Sequence, residues 1–118
     1  MTRHGVTDFL SAFQDVGTTF FDIERDLLIV LDERGDIERV NPAFERVLGR
    51  AESEVLQIPI IRLVHMNDWA IFLRSFGILG KAQPFRLLHK EAGLVAVRLV
   101  AYRFKGQRGY LILRTEPA

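Results

Sequence analysis

Cysteine is absent from this 118-residue chain, which excludes disulfide bonds, thiol nucleophiles and metal sites built on thiolates. The absence fits a reducing compartment, and the predicted location is the cytoplasm. No apolar run approaches the roughly 20 residues that a membrane-spanning helix needs. A net charge of +1 gives no electrostatic reason to bind nucleic acid or a membrane surface. We therefore expect one globular domain that binds neither nucleic acid nor a membrane.

Catalytic signatures are missing as well. No serine lies in the Gly-x-Ser-x-Gly turn of a hydrolase, and no glycine-rich loop is placed to hold a phosphate. The four carboxylates between Asp32 and Glu38 lie in a predicted turn, and their spacing does not match a calcium-binding loop. We expect neither an enzyme nor a metal site.

The most informative stretch contains two strands followed by a helix. Leu27 to Leu31 is a continuous apolar run, typical of a strand buried on both faces. Gly35 supplies the positive φ that the next turn requires. Ile37 to Val40 alternates apolar with charged residues, which indicates a half-buried strand. Asn41 is a suitable helix cap, and Pro42 suits the first helical position because its missing N–H is not needed there.

Helices and strands are segregated along the rest of the chain. Two short helical segments precede a long helix that the pattern predicts from Asp68 to Leu79, capped by Asn67. Its apolar stripe is expected to contain Trp69, Phe72, Leu73, Phe76 and Leu79. Three strands are predicted after it, over residues 84–90, 94–105 and 109–115. This order indicates an α+β fold with an antiparallel sheet.

The order and spacing of these residues resemble a PAS domain, over roughly Thr18 to Thr115. The family often has a His-Pro-Asp-Asp run, and this chain has His65-Met66-Asn67-Asp68 in its place. The positions that carry the resemblance are Leu31-Asp32, Gly35, Val40-Asn41-Pro42-Ala43-Phe44, Leu48-Gly49, Glu54, Pro59, Val64-His65 and Asp68.

The resemblance implies a single five-stranded antiparallel sheet of order 2-1-5-4-3, with short helices on one face. The PAS-like domain would span residues 18–116, and residues 1–17 would form an N-terminal cap and dimerisation helix. A PAS domain is a sensory or regulatory module of a signal-transduction protein. Its effector, in cis or in trans, would be a kinase, cyclase, phosphatase or transcription regulator.

The resemblance also implies a ligand pocket between the sheet and the helices. Its apolar lining would suit a small apolar or aromatic molecule. The alternative is that the same side chains form an ordinary hydrophobic core. The pocket positions carried over are Ile29, Leu31, Val40, Phe44, His65, Trp69, Phe72, Phe76, Val97, Leu99 and Leu111.

The sequence identifies no cofactor, and two candidates can be tested against its residues. Flavin-photosensing PAS domains need a cysteine near the start of the long helix, so the lack of cysteine excludes that photochemistry. Haem-binding members place a histidine within the long helix, and this helix contains none. His65 lies just before the helix and His89 at the end of a strand, so haem is not expected.

Strict alternation along strand 94–105 predicts which side chains leave the core. Leu99 and Ala101 would point inward, and the outward set is too apolar for a solvated surface. An amphipathic helix from Thr7 to Val16 could cover it in a homodimer, or within one monomer. The predicted interface residues are Phe9, Leu10, Phe13, Val16, Val100, Tyr102, Phe104, Tyr110 and Ile112.

A different class of function would use the same aromatic residues. Tyr102, Phe104 and Tyr110 on one sheet face could stack with the bases of single-stranded nucleic acid. The near balance of acidic and basic residues argues against it. The preferred interpretation is a homodimeric PAS-type sensor, and the others are a nucleic-acid binder or a cofactor-free interaction domain.

Overall fold

Five strands form one antiparallel sheet, in the order β2-β1-β5-β4-β3. The computed structural model describes residues 24–76 and 83–116. The predicted fold class and strand order are confirmed. The strands are β1 (Leu27–Leu31), β2 (Ile37–Val40), β3 (Phe85–Leu88), β4 (Leu94–Lys105) and β5 (Arg108–Thr115).

Short helices occupy the connection between β2 and β3. They are α1 (Pro42–Leu48), α2 (Glu52–Val55), two 3-10 turns (Ile60–Leu63 and Met66–Asp68) and α3 (Trp69–Arg74). In the described ranges, none of these helices is long and apolar enough to cross a membrane. The predicted helix over residues 7–16 falls outside the described residues. The long helix predicted from Asp68 to Leu79 ends at Arg74, with Ser75 and Phe76 in a turn, and residues 77–79 fall outside the described residues.

The predicted cap at the start of α1 is confirmed, and the same side chain also binds β1. The Asn41 side-chain oxygen accepts hydrogen bonds from the Phe44 N–H at 3.1 Å and the Leu28 N–H at 3.0 Å. Its amide nitrogen donates to the Asp26 carbonyl oxygen at 2.8 Å. Asn41 is buried, so these bonds replace water that cannot reach the groups. One side chain therefore joins α1 to β1.

Gly49 ends α1 in the left-handed conformation, with φ of 65°. A Cβ atom at this position would lie 2.7 Å from Cε1 of His89, so a larger residue would collide with that ring. The His89 Nδ1 atom accepts hydrogen bonds from the N–H groups of Glu91 and Ala92. His89 therefore organises the turn after β3 and packs against the end of α1.

The start of α3 differs from the prediction. The side chain of His65, not of Asn67, accepts the capping hydrogen bond, from the Asn67 N–H at 3.1 Å to Nδ1. A 3-10 turn then leads into the helix at Trp69. Both residues carry an acceptor, so the cap residue type alone did not fix the first turn.

Asp68 fastens this helix to the sheet. Its carboxylate accepts hydrogen bonds from the Arg86 backbone N–H at 2.8 Å and from the Arg86 Nε and Nη2 atoms at 2.8 and 2.9 Å. The Arg86 guanidinium and N–H hold the pKa of Asp68 below its usual value, although burial alone would raise it. The pairing turns Asp68, Phe72 and Ser75, which are all buried, toward the sheet.

A register shift divides β4. Leu99 pairs with Leu113 and Ala101 pairs with Ile112, so Val100 is an extra residue on this strand. After such a bulge, each side chain lies on the face opposite to the one that strict alternation would give it. The outward position predicted for Val100 is confirmed, whereas strict alternation is wrong from Ala101 onward.

We expect Asn41→Ala to lower the free energy of unfolding by about 2–3 kcal/mol, because it removes a cap and leaves buried backbone groups of β1 and α1 unsatisfied. Urea denaturation measures this loss. Asn67→Ala is the matched control, since Asn67 is exposed. Equal urea midpoints for the two variants would show that the Asn41 junction does not stabilise the fold.

The Asp68–Arg86 pair predicts a pH-dependent contribution to stability. Because the pKa of Asp68 is lower in the folded than in the unfolded chain, the pair stabilises the fold above about pH 3.9. This contribution is lost as the pH falls through the lower folded-state pKa. Asp68→Asn should therefore melt below the wild-type temperature at pH 7, with the gap narrowing below about pH 4.

Glu54→Gln is the control for the Asp68 variant. It breaks the Glu54–Lys90 pair, which has a 2.6 Å contact but lies in solvent, and it should change the melting temperature less. A gap between Asp68→Asn and wild type that stays constant from pH 7 to pH 3 would contradict the role of the Asp68 charge.

Two apolar faces of the sheet as candidate functional sites

The helix side of the sheet brings together most of the predicted pocket positions. They join one continuous apolar cluster, in which the sheet supplies one wall and the helices the other. Among the predicted positions in this cluster, Val40 and Phe76 are half-buried at its margin, and the others are buried. The buried predicted positions are Ile29, Leu31, Phe44, Phe72, Val97, Leu99 and Leu111.

Trp69 does not belong to this wall, and its predicted place on the core stripe is wrong. Its side chain is anchored instead by an Nε1–H hydrogen bond to the Val64 carbonyl oxygen at 2.9 Å, and the residue is 41% exposed. Leu73, predicted on the same stripe, is 59% exposed. The orientation that Asp68 imposes on α3 puts Phe72 in the core and these two residues on the flank.

His65 is half-buried, and its Nδ1 atom already caps the 3-10 turn before α3. Its backbone N–H donates to the Arg86 carbonyl oxygen at 2.8 Å. The structure therefore gives His65 a definite structural task. A role for this residue in binding a ligand stays a prediction.

An aromatic series that the sequence pattern missed runs from the core to the surface. Neighbouring rings meet edge to face, with centroids 5.2 Å apart for Phe85–Phe72 and Phe72–Phe76. The separations are 5.1 Å for Phe76–Tyr102 and 5.8 Å for Tyr102–Phe104. The series could have been found only by placing the bulge, because strict alternation puts Tyr102 on the other face.

Tyr102 and Phe104 therefore lie on the helix side of the sheet, contrary to their predicted place in the outer interface. Tyr102 packs against the main core, and its hydroxyl donates to the Phe76 carbonyl oxygen at 2.9 Å. Phe104 follows at the end of β4 and is 66% exposed. The half-buried Phe76 and Tyr102 mark the edge at which the apolar cluster meets the surface.

The opposite face carries a second, separate apolar cluster. Leu28, Val30, Tyr110 and Ile112 are buried there, with Val100 and Ala101 packed against them. Ile112 is fully buried although it faces away from the helices. The remaining residues predicted for the interface lie outside the described residues, and they are Phe9, Leu10, Phe13 and Val16.

An ion pair borders this outer cluster. The Arg114 Nε and Nη2 atoms each lie 2.9 Å from an oxygen of Asp26, whose side chain is 1% exposed. Two parallel hydrogen bonds compensate the burial of that carboxylate. The pair connects the end of β5 to the residue before β1.

The nucleic-acid interpretation fails on this geometry. Tyr110 lies in the outer cluster and is 5% exposed, whereas Tyr102 and Phe104 lie on the helix side. The three rings cannot form one stacking platform, because the bulge in β4 places them on opposite faces of the sheet.

A polar groove lies between the β1–β2 turn and the β4–β5 hairpin, with a volume of about 650 Å³. Glu38 and Arg108 on its walls are paired at 2.7 Å. The Asp32 Oδ1 atom accepts hydrogen bonds from the N–H groups of Arg34 and Asp36, so this carboxylate stabilises the turn. Across residues 24–76 and 83–116, no group of three or more potential ligands is arranged to hold a metal ion.

The PAS fold family matches residues 19–80, more than half of the chain. A comparison with curated proteins finds no match. Among solved structures, the PAS domain of an HTR-like protein from Haloarcula marismortui is 25% identical, with a TM-score of 0.57. The match covers 97% of this chain and 94% of that one.

Two further structures share the fold at lower identity. The PAS domain of the Cronobacter turicensis quorum-sensing receptor RpfR, in complex with C12:0, is 18% identical with a TM-score of 0.58, and 79% of this chain and 95% of that one are covered. The chromophore-binding domain of an unusual bacteriophytochrome from R. palustris is 15% identical with a TM-score of 0.64. That match covers 81% of this chain and 34% of the phytochrome chain, so this protein spans about a third of its length. The family match and the sheet order together show that this chain belongs to the PAS family.

Proposed function

We propose that the protein is a non-enzymatic cytoplasmic sensor module. It binds a small apolar ligand on the helix side of its sheet and dimerises through the other side. The observation that carries the proposal is the presence of two separate apolar clusters, one on each face of a single sheet. A sheet that only had to pack against its own helices would need an apolar cluster on one face alone.

The helix-side cluster supports an apolar ligand. Its walls are aliphatic and aromatic, and the Tyr102 hydroxyl is a polar group at its margin. A ligand would enter between α3 and β4, where Phe76 and Tyr102 are half-buried. The RpfR PAS domain, solved with C12:0, provides a precedent for such a ligand in this fold.

The outer cluster supports dimerisation. Its aliphatic side chains match the apolar stripe predicted for residues 7–16, which includes Phe9 and Phe13. Burying each large side chain contributes about 1.5–3 kcal/mol before conformational entropy is subtracted. In the dimer, this helix and the sheet of each protomer meet those of its partner. The alternative is that the helix covers its own sheet in a monomer.

Strand β5 would relay a signal between the two faces. Leu111 and Leu113 belong to the helix-side cluster, while Tyr110 and Ile112 belong to the outer one. A ligand that displaces the first pair must move the second, because neighbouring residues of a strand share one backbone. The receiver of that movement would be a kinase, cyclase, phosphatase or transcription regulator.

Native mass spectrometry in the presence of C12:0 tests both parts of the proposal. The wild-type protein should appear as a dimer that retains the ligand. Phe9→Ser combined with Phe13→Ser should shift the protein to monomer, because it removes apolar area from the helix that we predict to cover the outer face. Each mutated monomer should still retain C12:0, since the helix-side cluster is unchanged.

Phe104→Ser is the matched control. Phe104 is an exposed phenylalanine on the helix side, so its loss should leave the dimer intact. A wild-type monomer would contradict dimerisation, and so would a dimer that survives the double substitution with an unchanged melting temperature. Spectra without any C12:0 adduct would contradict the ligand.

A further inference from the structure

Three large apolar side chains are exposed along one side of α3 and the 3-10 turn that precedes it. Met66 is 70% exposed, Trp69 41% and Leu73 59%. They are spaced at i, i+3 and i+7, and the turn of the chain from Met66 through α3 puts such positions on one side. We call these three residues the α3 stripe.

The α3 stripe is held in a fixed orientation by the core behind it. Phe72, on the neighbouring face of the helix, is buried against Phe76 and Phe85. Trp69 is fixed by its hydrogen bond to the Val64 carbonyl oxygen. A partner that binds here would lose little side-chain entropy at the tryptophan, which favours recognition.

Two exposed basic residues flank the stripe along the chain. Arg74 is exposed, and its Nε atom lies 3.3 Å from the Ala70 carbonyl oxygen, beside the stripe. Arg62 is exposed on the preceding 3-10 turn. The one acidic residue between them is Asp68, and Arg86 neutralises it. A partner with carboxylates beside its apolar residues would complement this surface.

The size of the stripe limits the kind of partner. Its exposed apolar area is roughly 300 Å², within the range of patches that often mark interaction sites. A stable interface between two folded proteins buries about 800 Å² on each partner. A second copy of this domain would therefore need much more surface than the stripe offers, whereas a short amphipathic helix would not.

We propose that the α3 stripe of Met66, Trp69 and Leu73 is a docking site for an acidic amphipathic helix of a partner protein. The apolar side of that helix packs on the stripe, and its flanking carboxylates face Arg62 and Arg74. The proposal does not depend on ligand binding or on dimerisation through the outer face of the sheet.

The single tryptophan of the chain makes the test direct, because its fluorescence reports burial of Trp69. The probe is a synthetic helical peptide with leucines on one side and flanking glutamates, titrated into the intact protein. We expect a blue shift that saturates and weakens as salt is added. A peptide with lysines in place of the glutamates should bind at least about tenfold more weakly.

Protein variants separate the stripe from general hydrophobic contact. Leu73→Ser should weaken binding of the glutamate peptide at least about tenfold. It should not change the melting temperature of the protein, since an exposed leucine contributes little to folding. Leu56→Ser is the matched control, because Leu56 is 40% exposed in the turn that directly follows α2, and it should leave binding unchanged. Arg74→Glu should reverse the preference between the two peptides.

Several results would overturn the proposal. They are the absence of a fluorescence shift with either peptide, equal binding of both peptides, and binding that Leu73→Ser does not affect. A dimer that Leu73→Ser converts to monomer in sedimentation would assign the stripe to a second copy. A shift produced by anionic lipid vesicles but not by the peptide would assign it to a membrane.

Discussion

The extra residue at Val100 determines which side chains of β4 lie on each face of this sheet. Before it, β4 sends Val97 and Leu99 toward the helices, and after it the same strand sends Tyr102 there. Without the bulge, the aromatic end of β4 would join Ile112 on the outer face, and the margin of the core would lose its tyrosine. The bulge thus keeps the outer cluster largely aliphatic and completes the aromatic series beside α3.

Polar side chains then fix the helices over the sheet. Asn41 joins α1 to β1, and Asp68 joins the start of α3 to β3, each through three hydrogen bonds. Both are buried and fully partnered, so they specify orientation where apolar contacts alone would allow sliding. The orientation set by Asp68 also leaves Trp69 and Leu73 on the surface. One short helix therefore presents Phe72 to the core and an apolar stripe to solvent.

Local signals in the sequence predicted much of this arrangement. Asn41 before Pro42 marked the helix cap, and the strand predicted over residues 94–105 has the observed bounds of β4. The bulge gave no such signal, because Val100 and Ala101 are both apolar and fit either face. The rotation of α3 was equally hidden, since it depends on Arg86, which is 18 residues from Asp68. Errors therefore arose where a contact distant in sequence decided between two compatible patterns.

The two faces of the sheet are distinguished by the opposite placement of Tyr102 and Tyr110, the two tyrosines of the chain. Nuclear Overhauser contacts of their ring protons in solution measure it most directly. We predict that Tyr102 contacts Phe76, 5.1 Å away between ring centroids, and that Tyr110 contacts Leu28 and Val30. Contacts from Tyr102 to Val30 or to Ile112, with none to Phe76, would show that β4 has no bulge and would contradict the division of the sheet into these two faces.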